Sequence, residues 1–219
     1  MMKKKYFLLS FLYFFNDLNA QQDTSIQQQQ VQRFESGQKY LRKGKLEIAI
    51  SQYDVAFGYD KKSNIGIISR KKIDSLLPIA QKKLIKQWKG NWKLKELHNK
   101  RWHSEKFSEY IHIDDNKIVF YQKDSNGKDI ITRSESIRFF PYDSVKSFLN
   151  IRKVVFENSE IWSFSAENKK SQKRLYPTLE RDSSGISYMI IDERGFTMDR
   201  KARRRAQKTE IFTYYVIAK

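Results

Sequence analysis

The spacing of hydrophobic residues divides this chain into a helical part and a strand-rich part. Five hydrophobic positions recur every three or four residues and so share one face of a predicted helix: Leu46, Ala49, Ile50, Tyr53 and Phe57. A weaker stripe precedes that helix at Val31, Phe34, Gln38 and Leu41. Gly44 lies at the break between the two stripes, so together they predict a helical hairpin.

A third helical stripe follows the hairpin at Ile65, Ile68, Ile73, Leu76, Leu77, Ala80, Leu84 and Trp88. Pro78 lies inside this stripe, and proline removes a backbone donor from a helix. We therefore expect the third helix to be kinked or split at Pro78. The stripe is typical of a capping helix that also leads into the next domain.

From Trp92 onward the hydrophobic period changes to two, which predicts short strands. The predicted strands are 107–113, 117–123, 129–140, 152–157, 160–166, 187–192, 195–199 and 210–217. Residues 175–181 are a further candidate, which Pro177 disfavours. Turn-forming residues at 114–116, 126–127 and 157–159 separate several strands. Eight to ten antiparallel strands predict an up-and-down barrel or a sandwich.

These patterns predict a segregated α+β fold. The predicted divisions are a signal peptide at 1–20, a flexible polar lead-in at 21–30, a helical module at 31–88 and a β barrel at 89–219. The lead-in carries a run of four glutamines and no hydrophobic period, which is typical of an unstructured segment.

The first twenty residues follow the order of a secretory signal peptide. Lys3, Lys4 and Lys5 precede an apolar run over residues 6–15, and a polar stretch then ends at Ala20. The apolar run is too short for a permanent membrane anchor. We expect export, cleavage near Ala20 and a soluble product that is periplasmic or secreted.

Composition narrows the compartment and the partners. The chain has no cysteine, so disulfides and thiolate chemistry are excluded, and an exported chain without them favours a bacterial envelope protein. The net charge of +18 favours anionic partners such as anionic lipid or acidic glycan. Lysine that only keeps the protein soluble is the alternative explanation. No motif for sequence-specific nucleic-acid binding is present.

Residues 30–63 resemble one tetratricopeptide repeat. Gly37 and Tyr40 occupy the small and aromatic positions of its first helix, and Ala49, Tyr53 and Ala56 occupy the matching positions of the second. The resemblance implies that small residues let the two helices approach while the tyrosines fill the groove between them. Because such repeats need several copies to bury a continuous core, a single repeat packs on other parts of its chain. We expect a protein partner on helices 31–58.

The opening of the strand region, GNWKLKEL, resembles the first strand of lipocalin-like proteins through Gly90 and Trp92. The resemblance implies a barrel that the tryptophan plugs at one end, with an arginine near the last strand stacked on that tryptophan; Arg205 and Lys208 are the nearest candidates. It also implies a small apolar or amphipathic ligand inside. The candidate ligand-binding residues are Trp92, Tyr110, Phe120, Trp162, Tyr188 and Tyr214. Periodicity does not distinguish such a cavity from a filled interior.

A dense basic run is the sharpest polar feature of the chain. Its candidate anion-binding residues are Arg200, Lys201, Arg203, Arg204 and Arg205, in a loop or short helix between two predicted strands. Arginine side chains match phosphate oxygens in geometry, which favours docking to an anionic lipid or glycan. A solvated segment that keeps strand edges from pairing is an equally good explanation.

Catalytic and metal-binding patterns are weak. His98, His103 and His112 lack the spacing of a zinc site on one element, so we predict no metal. No nucleophile elbow or phosphate-binding glycine loop is present, so we predict no cofactor and no enzymatic activity. The sequence predicts an exported, non-catalytic binding protein that holds a ligand in its barrel. The alternative is a structural or assembly scaffold of the envelope with a filled barrel.

Overall fold

The structure is a computed structural model that describes residues 25–96, 106–142, 151–169, 171–188, 199–206 and 212–218. The chain folds into two compact units. The helical unit comprises Met1–Ala80 and Tyr142–Asn150, and the barrel unit comprises Gln81–Pro141 and Ile151–Lys219. The side chains of Glu96, Arg203, Arg204 and Ala206 lie outside the described part, as does the predicted signal peptide.

Three helices occupy the N-terminal part of the chain. Helix α1 covers residues 25–42, α2 covers Leu46–Tyr59 and α3 covers Asn64–Trp88. The predicted hairpin is confirmed, and the predicted face of α2 is buried at Ala49, Ile50 and Tyr53. Tyr40 of α1 is partly buried.

Three details of the helices differ from the prediction. Residues 25–30, assigned to a flexible lead-in, are helical, because Gln30 is buried and its Nε2 donates to the carbonyl oxygens of Ala56 and Asp60, both at 2.9 Å. Helix α3 continues through Pro78, so the predicted split is wrong. One missing backbone donor does not end a helix whose hydrophobic side chains are buried on both sides of that turn. Ile68, predicted to be on the buried stripe, is exposed.

The contact between α1 and α2 depends on Gly37. A Cβ atom at this position would lie 2.7 Å from Cε1 of Tyr53, whose side chain is fully buried. The ring of Phe34 lies 5.5 Å from the ring of Tyr53 on the same contact. The small residue therefore allows the close approach that the repeat resemblance implied.

Within the described residues, the barrel unit contains eight strands, one short helix and the end of α3 from Gln81 onward. The strands are β1 Gly90–Glu96, β2 Tyr110–Ile113, β3 Lys117–Lys123, β4 Asp129–Ser136, β5 Lys153–Val155, β6 Ile161–Lys169, β7 Gln172–Arg181 and β8 Tyr214–Ile217. Helix α4, Arg200–Ala206, precedes β8. The segregated α+β class with a barrel-like sheet is confirmed.

The strands form one antiparallel sheet in the order β4-β3-β2-β1-β8-β7-β6-β5. Each strand pairs with its neighbours in sequence except β4 and β5, which lie at the two ends of the sheet, and β1 pairs with the last strand, which is the order of an up-and-down barrel. The two outermost strands, β4 and β5, are linked by backbone hydrogen bonds between β5 and the segment that follows β4. There Phe140 N donates to Lys153 O and Val155 N donates to Arg138 O, both at 2.8 Å. The sheet is therefore curled on itself.

The predicted strand bounds agree best with the observed ones where a tight turn adjoins the strand. Strand β3 has the predicted bounds, and Asp114 Oδ1 accepts hydrogen bonds from Asn116 N and Lys117 N in the turn before it. Strand β7 exists despite Pro177, because β8 pairs only with Arg174 and Leu175 and leaves no bond for Pro177 to make on that side. The predicted strand 187–192 is described only at 187–188, where Ser187 bridges Arg181, and residues 195–198 lie outside the described part.

Candidate functional site

Aromatic side chains pack against one another in the interior of the barrel unit. Trp162 is fully buried, and its ring lies 5.3 to 6.4 Å from the rings of Phe107, Phe120, Phe156 and Phe164. Separations in this range are those of aromatic side chains in a packed core. The predicted ligand-binding residues Phe120 and Trp162 therefore contact other side chains of the core.

Trp92, the tryptophan of the lipocalin-like opening, is also fully buried. Its Nε1 donates to the carbonyl oxygen of Trp88 at 2.6 Å. Lys173 of β7 places its Nζ 5.0 Å from the centre of the indole ring. The cation over this ring is therefore a lysine of β7, whereas the resemblance implied an arginine near the last strand; Arg205 lies on α4, and Lys208 lies outside the described residues. Lys173 was missed because the candidates were taken from the residues just before the last strand.

The remaining predicted ligand-binding residues lie apart from one another. Tyr110 is on the outer face of the sheet and stacks on Tyr121 at 5.1 Å. Tyr214 carries the guanidinium of Arg174 4.2 Å above its ring. The Tyr188 hydroxyl donates a hydrogen bond to the Asp182 carboxylate. This hydrogen bond, together with those from Ser184, lowers the pKa of Asp182 well below its usual range. The six residues do not share one cavity wall.

A buried ionic network lies beside the aromatic core. The Glu160 side chain is 0% exposed and accepts hydrogen bonds from Lys106 Nζ at 2.8 Å, Arg133 NH1 at 2.6 Å and Trp162 Nε1 at 3.0 Å. Arg133 also donates to Glu135 at 2.6 Å and stacks 4.6 Å from the ring of Phe156. Two carboxylates and two cations therefore balance one another.

The network keeps Glu160 ionised. Burial alone raises the pKa of this carboxyl, but the hydrogen bonds from Lys106, Trp162 and Arg133 outweigh burial and lower the pKa to about 2. A permanently ionised and fully partnered carboxylate has no proton to exchange at neutral pH. The arrangement is that of a structural ion cluster.

An open groove of 730 Å³ lies on the outer face of the sheet, where β1 is flanked by β2 and β8. It is lined by the lysines Lys93, Lys95 and Lys123, by Tyr110 and Tyr121, by Asn91 and Gln172, and by Leu94, Val216, Ile217 and Ala218. Of the residues that line this groove, Tyr110 alone was predicted from the sequence to bind a ligand, and it was predicted to do so inside the barrel. Lysines that alternate with buried residues on a strand look like any solvated face, so no sequence signal marked it.

The basic run forms helix α4, one of the two forms expected. Arg200, Lys201 and Arg205 are exposed, and Asp199 Oδ1 accepts from the backbone N–H of Lys201 at 2.7 Å at the start of the helix. The side chains of Arg203 and Arg204 lie outside the described part. Anion binding by this run stays a prediction.

Within residues 25–96, 106–142, 151–169, 171–188, 199–206 and 212–218, no group of three histidines or acids is placed to hold a metal ion. His112 contacts Asn91 Oδ1 at 2.5 Å, and His98 and His103 lie outside these ranges. No helix in the same part of the chain has the length and hydrophobicity needed to cross a bilayer.

Comparisons with protein-family models, with characterised proteins and with solved structures find no match for this chain.

Proposed function

We propose that this protein is a non-catalytic structural or assembly protein of a bacterial envelope. In this proposal it is exported, its barrel is a filled scaffold, and its helical unit contacts a protein partner. The observation that supports it most is the packing around Trp162, where five aromatic rings from β3, β6 and two connecting segments lie against one another.

A barrel filled by its own side chains differs from a barrel that carries a small apolar ligand in the exposure of its inward residues. Proteins that bind such ligands keep a concave apolar cavity of several hundred Å³. In this chain the inward residues Trp92, Phe120 and Trp162 are between 0% and 2% exposed, and the rings of Phe120 and Trp162 lie 6.1 Å apart. They support a solid core in place of a cavity wall.

The helical unit offers a surface for the protein partner. Ile48 and Val55 lie two turns apart on the same face of α2 and are 38% and 39% exposed. Val31 of α1 is exposed to the same degree. Large apolar side chains on a solvated face mark interaction surfaces when they cluster. This surface lies on helices 31–58, where we expect the partner.

The filled barrel is tested with a neutral apolar fluorescent probe and the full chain. We expect the wild type to bind no probe, and native mass spectrometry of protein purified from its own source to show no bound neutral apolar molecule. The variant Phe120→Ala opens space beside Trp162 and serves as the positive control that takes up the probe. Saturable uptake by the wild type, or a co-purifying neutral apolar molecule, contradicts the filled barrel.

The partner surface is tested by chemical cross-linking of the full chain in its native envelope. Replacing Ile48 and Val55 with aspartate should abolish the cross-linked adduct while circular dichroism stays unchanged. Ile130→Asp is the matched control, because Ile130 is also an exposed isoleucine but belongs to β4 of the barrel unit. An adduct that survives the double change on α2, or is lost in the control, contradicts docking on the helices.

A further inference from the structure

The groove on the outer face of the sheet has a mixed lining that the proposed scaffold does not use. Tyr121 pairs with Tyr110 across β3 and β2, Tyr110 pairs with Lys93 of β1, and Lys93 pairs with Val216 of β8. Directly paired residues on neighbouring strands project to the same face. Since the adjacent residues Trp92 and Ile111 are buried, this row projects outward.

Positive charge is concentrated over one tyrosine ring in the groove. Lys93 Nζ lies 5.3 Å and Lys123 Nζ lies 5.7 Å from the centre of the Tyr110 ring. Lys95, two residues along β1 from Lys93, adds a third cation to the lining. Because the two ammonium groups share one ring, an anion placed there would meet both at once.

Apolar residues line the β8 side of the same groove. Val216 lies beside Lys93 in the paired row, and Ala218 lies beside Asn91, whose carbonyl oxygen accepts from Ala218 N at 2.9 Å. The Tyr110 ring does not offer an open face for stacking, since this residue is 7% exposed and lies beneath the lysines. This disfavours a flat sugar ring and favours a flexible chain lying on Val216 and Ala218.

We propose that this groove binds a small amphipathic anion, with its acidic headgroup at Lys93 and Lys123 and its alkyl chain along Val216 and Ala218. Its volume of 730 Å³ suits a ligand of that size. The site lies on the outside of the barrel and is independent of whether the interior is filled. A carboxylate and a phosphate headgroup present the same chemistry to the two lysines.

Two carboxylates compete with such a ligand. Glu109 Oε1 lies 3.9 Å from Lys93 Nζ, and Asp129 Oδ1 lies 3.0 Å from Lys123 Nζ. Both ion pairs are solvent-exposed and therefore weak, so an incoming headgroup can share or displace them. Removing these carboxylates should strengthen binding, whereas removing the lysines should weaken it.

The experiment measures binding of dodecanoate and dodecyl phosphate to the full chain by calorimetry, below the concentrations at which they form micelles. We expect both to bind and dodecanol to bind about ten-fold more weakly or not at all. The ratio of the two acid affinities tells which headgroup the site prefers. Added salt should weaken the binding of both acids, because it screens the lysines.

Variants with opposite expected effects on dodecanoate affinity make the test specific for the groove. Lys93→Gln with Lys123→Gln should weaken dodecanoate binding about five- to ten-fold, and Asp129→Asn should tighten it about two-fold. Val216→Asn should weaken it without changing the charge. Lys83→Gln, which removes an exposed lysine of α3, is the matched control and should have no effect.

Three results would overturn the proposal: no binding of either acid, equal binding of dodecanol, or binding that ignores the lysine changes. Tighter binding of an acidic oligosaccharide than of dodecanoate would overturn it as well. Because the probe for the filled interior is neutral and this ligand is anionic, the two proposals fail separately.

Discussion

At the scale of single residues, Glu160 shows how a charge is kept inside an aromatic core. Its side chain is fully buried, and Lys106, Arg133 and Trp162 all donate to it. Removing one member of a buried ion cluster leaves the others without a partner, which costs about 3 kcal/mol. We expect Glu160→Gln to lower the free energy of unfolding by that amount at pH 7, measured by urea titration with tryptophan fluorescence.

The pH dependence of this loss follows from the direction of the pKa shift. The pKa of Glu160 falls from 4.5 to about 2 on folding, so the ionised group stabilises the fold fully above pH 4.5 and loses that effect as the pH falls towards 2. The difference between wild type and Glu160→Gln should therefore shrink over that interval. Glu157→Gln, an exposed neighbour, should change stability by less than about 0.5 kcal/mol at every pH. A difference between wild type and Glu160→Gln that is independent of pH would contradict the assigned ionisation.

At the scale of elements, the contact of α1 with α2 depends on the absence of one Cβ atom. Gly37→Ala would place that atom 2.7 Å from the buried Tyr53 ring, and we expect a cost of about 1–3 kcal/mol from overpacking. Gly58→Ala on α2 is the control, because its Cβ would meet nothing within 4 Å and alanine favours the helix by about 0.5–1 kcal/mol. Helix ellipticity during thermal unfolding measures both changes, and equal midpoints for the two variants would disprove the close contact.

Elements were predictable from sequence where the information is local. Strand β3 follows from its alternating residues and the Asp114 turn, and the helical hairpin follows from its three-to-four spacing. The helical conformation of residues 25–30 was not predictable, because Gln30 owes its burial to carbonyl groups about thirty positions away along the chain. The continuity of α3 through Pro78 likewise depends on side chains buried in the folded structure.

At the scale of the whole molecule, the candidate site was the least predictable feature. The groove gathers Lys93, Tyr110, Lys123 and Val216 from four different strands, and only the pairing of the strands brings them together. The spacing of residues along the chain does not predict which strands pair. The interior aromatic residues were predictable as core candidates, because they alternate with polar residues, but their mutual packing was not.

The net charge of +18 makes a prediction for the entire chain. Like charges distributed over a folded protein repel one another, and salt screens this repulsion more effectively than it weakens a buried cluster such as that of Glu160. We expect the midpoint of thermal unfolding to rise by a few degrees between 10 and 150 mM sodium chloride, with the buried network unaffected. The same increase in salt should weaken binding of dodecanoate in the groove, because that attraction is between exposed charges. Differential scanning calorimetry at the two salt concentrations checks the first effect. A midpoint that falls with salt would mean that surface pairs such as Lys89–Asp115 contribute more than the repulsion does.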